Sequence, residues 1–181
     1  RGDWLAGIFN AALAAAQQRD DIHDLAVAET EDDQRMLWHL RESIPPAQSA
    51  EGASIKHDIS LPVSKLPAFL TAAADDVAAV VPGIRPCAFG HVGDGNLHFN
   101  LSCPLAMRAE DFRACEPELH RVVHDRVAAM RGSIAAEHGV GRLKVDEIVR
   151  LKPAVEIDML RAIKKALDPD NRMNPGVLVR I

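Results

Sequence analysis

Apolar residues recur every three or four positions over residues 4–18, where Trp4, Leu5, Ile8, Phe9, Ala12 and Leu13 form one stripe, and this spacing predicts a helix. Residues 22–28 read as a short strand after a charged turn. Thr30, with Asp33 three positions on, predicts the capped start of a second helix. That helix carries Met36, Leu37 and Leu40 and stops before Pro45-Pro46, which cannot continue it. Residues 46–54 are small and polar and predict a loop. Strict alternation follows over 55–61: Ile55, His57, Ile59 and Leu61 share one side, Lys56, Asp58 and Ser60 the other. Ser64 is placed to cap a helix over 65–80. Residues 84–91 and 97–101 read as paired strands, 109–130 as a long helix, 133–136 as a short strand, and 142–150 and 153–166 as two further helices. The chain closes on the turn sequence Asn174-Pro175-Gly176.

This order of strand, helix, hairpin, helix, strand predicts an α+β fold. Helices with apolar stripes must cover one face of a mostly antiparallel sheet, in the ferredoxin-like, split βαβ manner, followed by a C-terminal helical segment. The expected organisation is a helical lead-in over about 1–50, an α/β sandwich over 51–136 and a helical cap over 137–181. A length of 181 residues suffices for a real core. The net charge of −5 lacks the basic footprint of a nucleic-acid binder. The three cysteines, Cys87, Cys103 and Cys115, have no paired spacing, which fits a reducing, cytoplasmic setting. The chain runs straight into a helical pattern, as a piece of a longer protein would.

Candidate chemistry concentrates in Gly90-His91-Val92-Gly93-Asp94-Gly95-Asn96-Leu97-His98. Asp94-Gly95 between alternating flanks predicts a two-residue hairpin turn, with Gly95 at positive φ. In that register Gly93 faces Asn96, Val92 faces Leu97 and His91 faces His98, with Asn100 on the same face. Opposed imidazoles can converge on one cation. Glu137-His138 before Gly139 can add a carboxylate ligand and a base side by side. Two histidines and one carboxylate leave open positions for substrate, as catalytic metal sites do. His120 and His124, one helical turn apart, read as a solvated helix face, and His57 as a packing histidine.

These motifs, together with Lys56-His57-Asp58-Ile59-Ser60-Leu61-Pro62, Leu37-Trp38-His39-Leu40-Arg41-Glu42 and Leu167-Asp168-Pro169, resemble in order the C-terminal part of FAD-linked oxidases acting on D-2-hydroxy acids. That group includes D-lactate, D-2-hydroxyglutarate and glycolate dehydrogenases of the vanillyl-alcohol-oxidase type. The resemblance implies a divalent metal, commonly zinc with manganese or iron as alternatives, on His91, His98 and Glu137. It implies His138 as base and substrate contacts from Arg41, Lys56, Asn100 and His138. It places Asn174 near the flavin and leaves FAD mainly to an N-terminal domain outside this chain, so that the chain alone lacks turnover. The implied partners are a small 2-hydroxy acid, the FAD domain and an electron acceptor: an electron-transfer flavoprotein, a quinone or a cytochrome. The expected placement is cytoplasmic, or peripheral to a membrane through the electron acceptor. An apolar face parted from its flavin domain could also pair as a homodimer. Pro45 stands where some hydroxyglutarate enzymes carry a hydroxyl contact, which weakens the case for a second carboxylate on the substrate. Without the resemblance, the same ligand set also suits a non-haem metal oxygenase or a metal-stabilised interaction module.

Overall fold

Asn96–Ser102 is the centre of the sheet, with Leu97, Phe99 and Leu101 on one face and Asn96, His98, Asn100 and Ser102 on the other. A computed structural model describes residues 2–91 and 93–181. In chain order its elements are α1 (Gly2–Gln18), α2 (Glu31–Glu42), α3 (Ile44–Ala50), β1 (Ser54–Ile55), β2 (Asp58–Ser60), a 3-10 turn (Val63–Lys65), α4 (Leu66–Val80), β3 (Arg85–His91), β4 (Asn96–Ser102), α5 (Ala109–Ala114), α6 (Glu116–Ala129), α7 (Val145–Leu151) and α8 (Ala154–Leu167). The chain packs as two units, Arg1–Pro45 and Pro46–Ile181.

In the first unit α2 opens with the expected capping box. Thr30 Oγ1 accepts from the Asp33 N–H at 3.1 Å, and the Asp33 carboxylate accepts from the Thr30 N–H at 2.9 Å. The strand expected over 22–28 does not form, because an extended run needs a neighbouring strand to take up its backbone groups.

In the second unit β1 and β2 lie in one register against β4, with Ile55 opposite Leu101 and Asp58 opposite His98. Between them the Phe99 N–H donates to the His57 carbonyl at 3.0 Å, so 54–60 behaves as one strand, as its alternation predicts. β3 pairs with the other edge of β4. A single antiparallel bridge from Ser60 to Ser133 extends the sheet beyond β2, completing the expected split βαβ order. The rest of the strand expected over 133–136 is missing because the Asp58 carboxylate takes the amides of residues 136–138 out of any ladder.

Three further expectations are corrected. Residues 46–50 are helical within α3, since prolines are tolerated in a first turn whose amides need no partner. Ser64 does not cap α4: Lys65 holds the N-cap position, and a proline follows in the first turn. The long helix breaks at Cys115 into α5 and α6, where Pro117 lacks an N–H and crowds the preceding turn. One face of the sheet is sealed by α4 and α6. Phe69, Ala73 and Val77 from α4 and Leu119, Val123 and Val127 from α6 are fully buried with Ile59, Phe99 and Leu101. Phe69 and Phe99 meet edge to face, 5.4 Å apart. The opposite face of the sheet is polar and carries the candidate site.

Candidate metal centre

The hairpin register differs from the expected one by two residues. His91 lies opposite Asn96, and His98 opposite Phe89. The connection has four residues, with the Gly95 N–H donating to the His91 carbonyl at 3.1 Å and the Asn96 N–H to Asp94 Oδ1 at 2.9 Å. The Gly95 carbonyl is held from outside the hairpin by the Leu61 N–H at 3.0 Å, which favours this longer loop over a two-residue turn. Gly95 does take a positive φ, +76°. The expected pairing of Val92 lies outside the described residues. A slip of two keeps every side chain on its face, whereas a slip of one would have turned the histidines into the core. His91 and His98 are therefore on the same face, but diagonal to one another.

Glu137 closes the gap between them. Its Oε1 lies 3.7 Å from His91 Nε2 and 3.8 Å from His98 Nε2. Donor atoms each about 2.1 Å from a tetrahedral zinc ion are roughly 3.4 Å apart, so Glu137 Oε1 stands close to ligand spacing from each ring taken singly, while His91 lies outside the tight cluster that His98 and Glu137 form. Asn96 Nδ2 also donates to Glu137 Oε1. A fourth group, which the sequence reading passed over, organises the site. Asp58 Oδ2 accepts from the backbone N–H groups of Ala136, Glu137 and His138 at 3.3, 3.0 and 3.1 Å. Its Oδ1 is buried with no hydrogen-bond partner and lies 3.7 Å from His98 Nδ1. The donor atoms of Asp58, His98 and Glu137 all fall within 4.8 Å of one another. An orphaned buried carboxylate oxygen beside the His98 imidazole and a second carboxylate fits a divalent cation. The strand alternation had already put Asp58 on this face; what it lacked was any sign that residues 136–138 fold back onto it.

The other expected residues are placed as follows. His138 is exposed, next to Glu137. Lys56 is exposed on the polar side of its strand, in register with Asn100. Asn100 is buried, and its amide donates to Gln48 of α3 at 2.7 Å. Arg41 belongs to the first unit, where it lines a hollow with Leu37 and Trp38. Asn174 is exposed at the start of the Asn174-Pro175-Gly176 turn, which is closed by the Val177 N–H donating to its carbonyl at 3.1 Å. An apolar hollow of about 410 Å³, lined by Val63, Leu66, Pro67, Leu70 and Leu97, opens beside His91 and Asn96.

On the helix-covered face, His120 and His124 do not form the solvated surface expected of them. His124 is buried, and His120 Nδ1 meets His57 Nε2 at 3.0 Å. Burial, with the neighbouring rings, pushes His57 down to about 3, and burial also lowers His124 against the opposing pull of Glu147. Arg150, followed by His124, holds Glu147 down to about 2. A ring that folds neutral binds fewer protons than the unfolded chain, so its contribution is complete above the unfolded value of about 6.5 and is lost as pH falls below it. For His57 alone the loss approaches about 1.4 kcal/mol per pH unit between 6.5 and 3. Urea unfolding in chelator should show stability falling steadily from pH 7 to 5, with a flatter profile in His57→Gln. Glu147, depressed in the fold, adds its own loss only below about 4.5.

Comparison with known proteins shows the family. Residues 8–178 match the family described as FAD linked oxidases, C-terminal domain. The D-2-hydroxyglutarate dehydrogenase of Stutzerimonas stutzeri is 38% identical over 153 residues, covering 84% of this chain and 33% of the relative. That of Xanthomonas citri is 34% identical over 168 residues, covering 93% and 35%. The mitochondrial D-2-hydroxyglutarate dehydrogenase of Danio rerio is 36% identical over 144 residues, covering 78% and 25%. The chain thus spans a quarter to about a third of the length of these curated relatives.

Proposed function

The chain belongs to the FAD-linked oxidase C-terminal domain family, and from that premise we propose that it is the substrate- and metal-binding part of a flavoenzyme that oxidises a D-2-hydroxy acid to the 2-oxo acid. The observation that carries this reading is the convergence of Glu137 on His91 and His98, with the unpartnered Asp58 oxygen behind His98. A cation bound there would supply Lewis-acid polarisation of the substrate hydroxyl, and FAD would supply the hydride acceptor.

In this reading His91, His98 and Glu137 hold the cation, which is zinc, with manganese or iron as alternatives. Asp58 orients the His98 ring through its second nitrogen. His138 takes the proton of the C2 hydroxyl, a task suited to an imidazole near neutral pH. Lys56 neutralises carboxylate charge, and Asn100, fixed by Gln48, offers its remaining amide capacity to the substrate. Arg41 is assigned to the substrate by resemblance alone, as Asn174, on an exposed turn, is to the flavin. The stripe Val155, Met159, Ile163 and Leu167 on α8 is exposed, as an apolar face is when its covering partner is not included. The FAD-binding portion is the partner proposed for it.

The test is turnover of the flavin-loaded protein with D-2-hydroxyglutarate and with D-lactate, read by reduction of an artificial dye. His138→Asn should lower kcat by about 100-fold or more while metal content is retained. Glu137→Gln should lose both metal and activity. An unchanged rate in His138→Asn would remove the base assignment. Full activity after chelation, with no metal found by elemental analysis, would remove the cation.

A further inference from the structure

Residues 57 and 58 are neighbours on one strand and point to opposite faces of the sheet. Asp58 serves the polar face. His57 enters the layer beneath α6 and meets His120 and His124 there. The three donor atoms of these histidines lie within 4.8 Å of one another. The ring centroids of His57 and His120 are 4.7 Å apart, and those of His57 and His124 are 5.7 Å apart.

We propose that His57, His120 and His124 form a second divalent-metal site, of the zinc class, which ties α6 to the sheet. The hydrogen bonds at the outer ring nitrogens are the argument. His57 Nδ1 donates to the Phe99 carbonyl at 2.9 Å, leaving Nε2 as a lone pair. His124 Nδ1 donates to Glu147 Oε2 at 2.8 Å, so its Nε2 is also a lone pair, buried and without a partner. His120 Nε2 faces Glu116 Oε1 at 3.2 Å, which leaves its Nδ1 pointing at His57 Nε2. Each ring is therefore oriented from behind by a carbonyl or carboxylate, the arrangement that fixes tautomer and direction in histidine metal sites.

Both contacts of His120 are hydrogen bonds only when its ring carries two protons. A cation takes the place of the Nδ1 proton, which is released to solvent, and it gives the stranded His124 Nε2 the partner it lacks. A purely structural histidine cluster would leave that atom unsatisfied. Three imidazoles suit zinc and its neighbours rather than magnesium or calcium, and a fourth position remains for water on the half-exposed side of His120. The site uses no residue of the hairpin cluster and stands independently of the function proposed for it.

The test is zinc stoichiometry of the full chain, stripped with chelator, dialysed and titrated, in wild type and in His120→Ala. His120 is the ligand to remove because it is only partly buried and its loss leaves the core residues of α6 in place. The variant should bind one equivalent fewer than wild type, whatever the hairpin contributes, and cobalt substitution should lose one tetrahedral absorption band. In contrast, His91→Ala should keep that band. Equal stoichiometry in wild type and a folded His120→Ala would overturn the proposal. A second readout needs no variant: zinc added to labelled wild type should shift the ring nitrogens His57 Nε2, His120 Nδ1 and His124 Nε2 in long-range proton–nitrogen spectra. If they do not move at saturating zinc, the cluster is a hydrogen-bonded core network and not a metal site.

Discussion

Gly95→Ala should lower stability by at least about 3 kcal/mol, from left-handed strain together with a broken hydrogen bond. Gly95 has a φ of +76°, and a Cβ there would lie 1.9 Å from the Leu61 carbonyl oxygen and 3.1 Å from its carbon. Neither neighbour is the end of a flexible side chain. Relief requires the hairpin loop to move off β2, which breaks the hydrogen bond from the Leu61 N–H to the Gly95 carbonyl. That movement also carries Asn96 and His98 away from Glu137, so metal affinity should fall with stability. Gly93→Ala is the control. Nothing lies within 4 Å of a Cβ at Gly93, so its cost should stay within about 0.5 kcal/mol. Chemical unfolding of both variants checks the pair, and near-equal midpoints would show that the loop is not held as described.

Asp58→Ala should have the second largest effect, and it should fall on the site more than on the fold. One carboxylate oxygen anchors three consecutive amides, those of residues 136, 137 and 138. Hydrogen bonds to a charged acceptor contribute roughly 1.5–3 kcal/mol each, and the three share one oxygen, so a combined loss of about 3 kcal/mol in loop anchoring is expected. Glu137 and His138 are both exposed, and apart from these amide contacts the segment is tethered through the Glu137 side chain to Asn96. Amide exchange at 136–138 should rise to the level of an unprotected loop. Under the proposed function, turnover should fall by about 100-fold or more, since displacement of a base by about 1 Å is enough for that. Asp58→Asn keeps an oxygen for the amides but loses the charge behind His98. It should restore amide protection more than activity. If Asp58→Ala left exchange at these amides unchanged, Asp58 would not be the anchor.

Short-range features were legible in the sequence. The alternation over 55–61 correctly divided Ile55, His57, Ile59 and Leu61 from Lys56, Asp58 and Ser60, because side chains on a strand alternate whatever the strand pairs with. The Thr30–Asp33 capping box and the positive φ of Gly95 were readable for the same reason: both depend on residues within one turn. His98 and Glu137, both in the expected ligand set, do lie in one cluster, joined there by Asp58.

Features that depend on distant partners were not legible. The hairpin register is decided by Leu61 holding the Gly95 carbonyl, and the loss of the 133–136 strand by Asp58 holding the amides beyond it. The helical spacing of His120 and His124 is the same on a wet face and a buried one. Only the packing of α6 over the sheet, with His57 as the inward residue of its strand, turned them into a cluster. Local sequence thus determined the alternating faces over 55–61, the cap of α2 and the left-handed turn residue. Tertiary structure alone decided which donors meet, because hydrogen bonds and ligand sets join residues that chain connectivity leaves tens of positions apart.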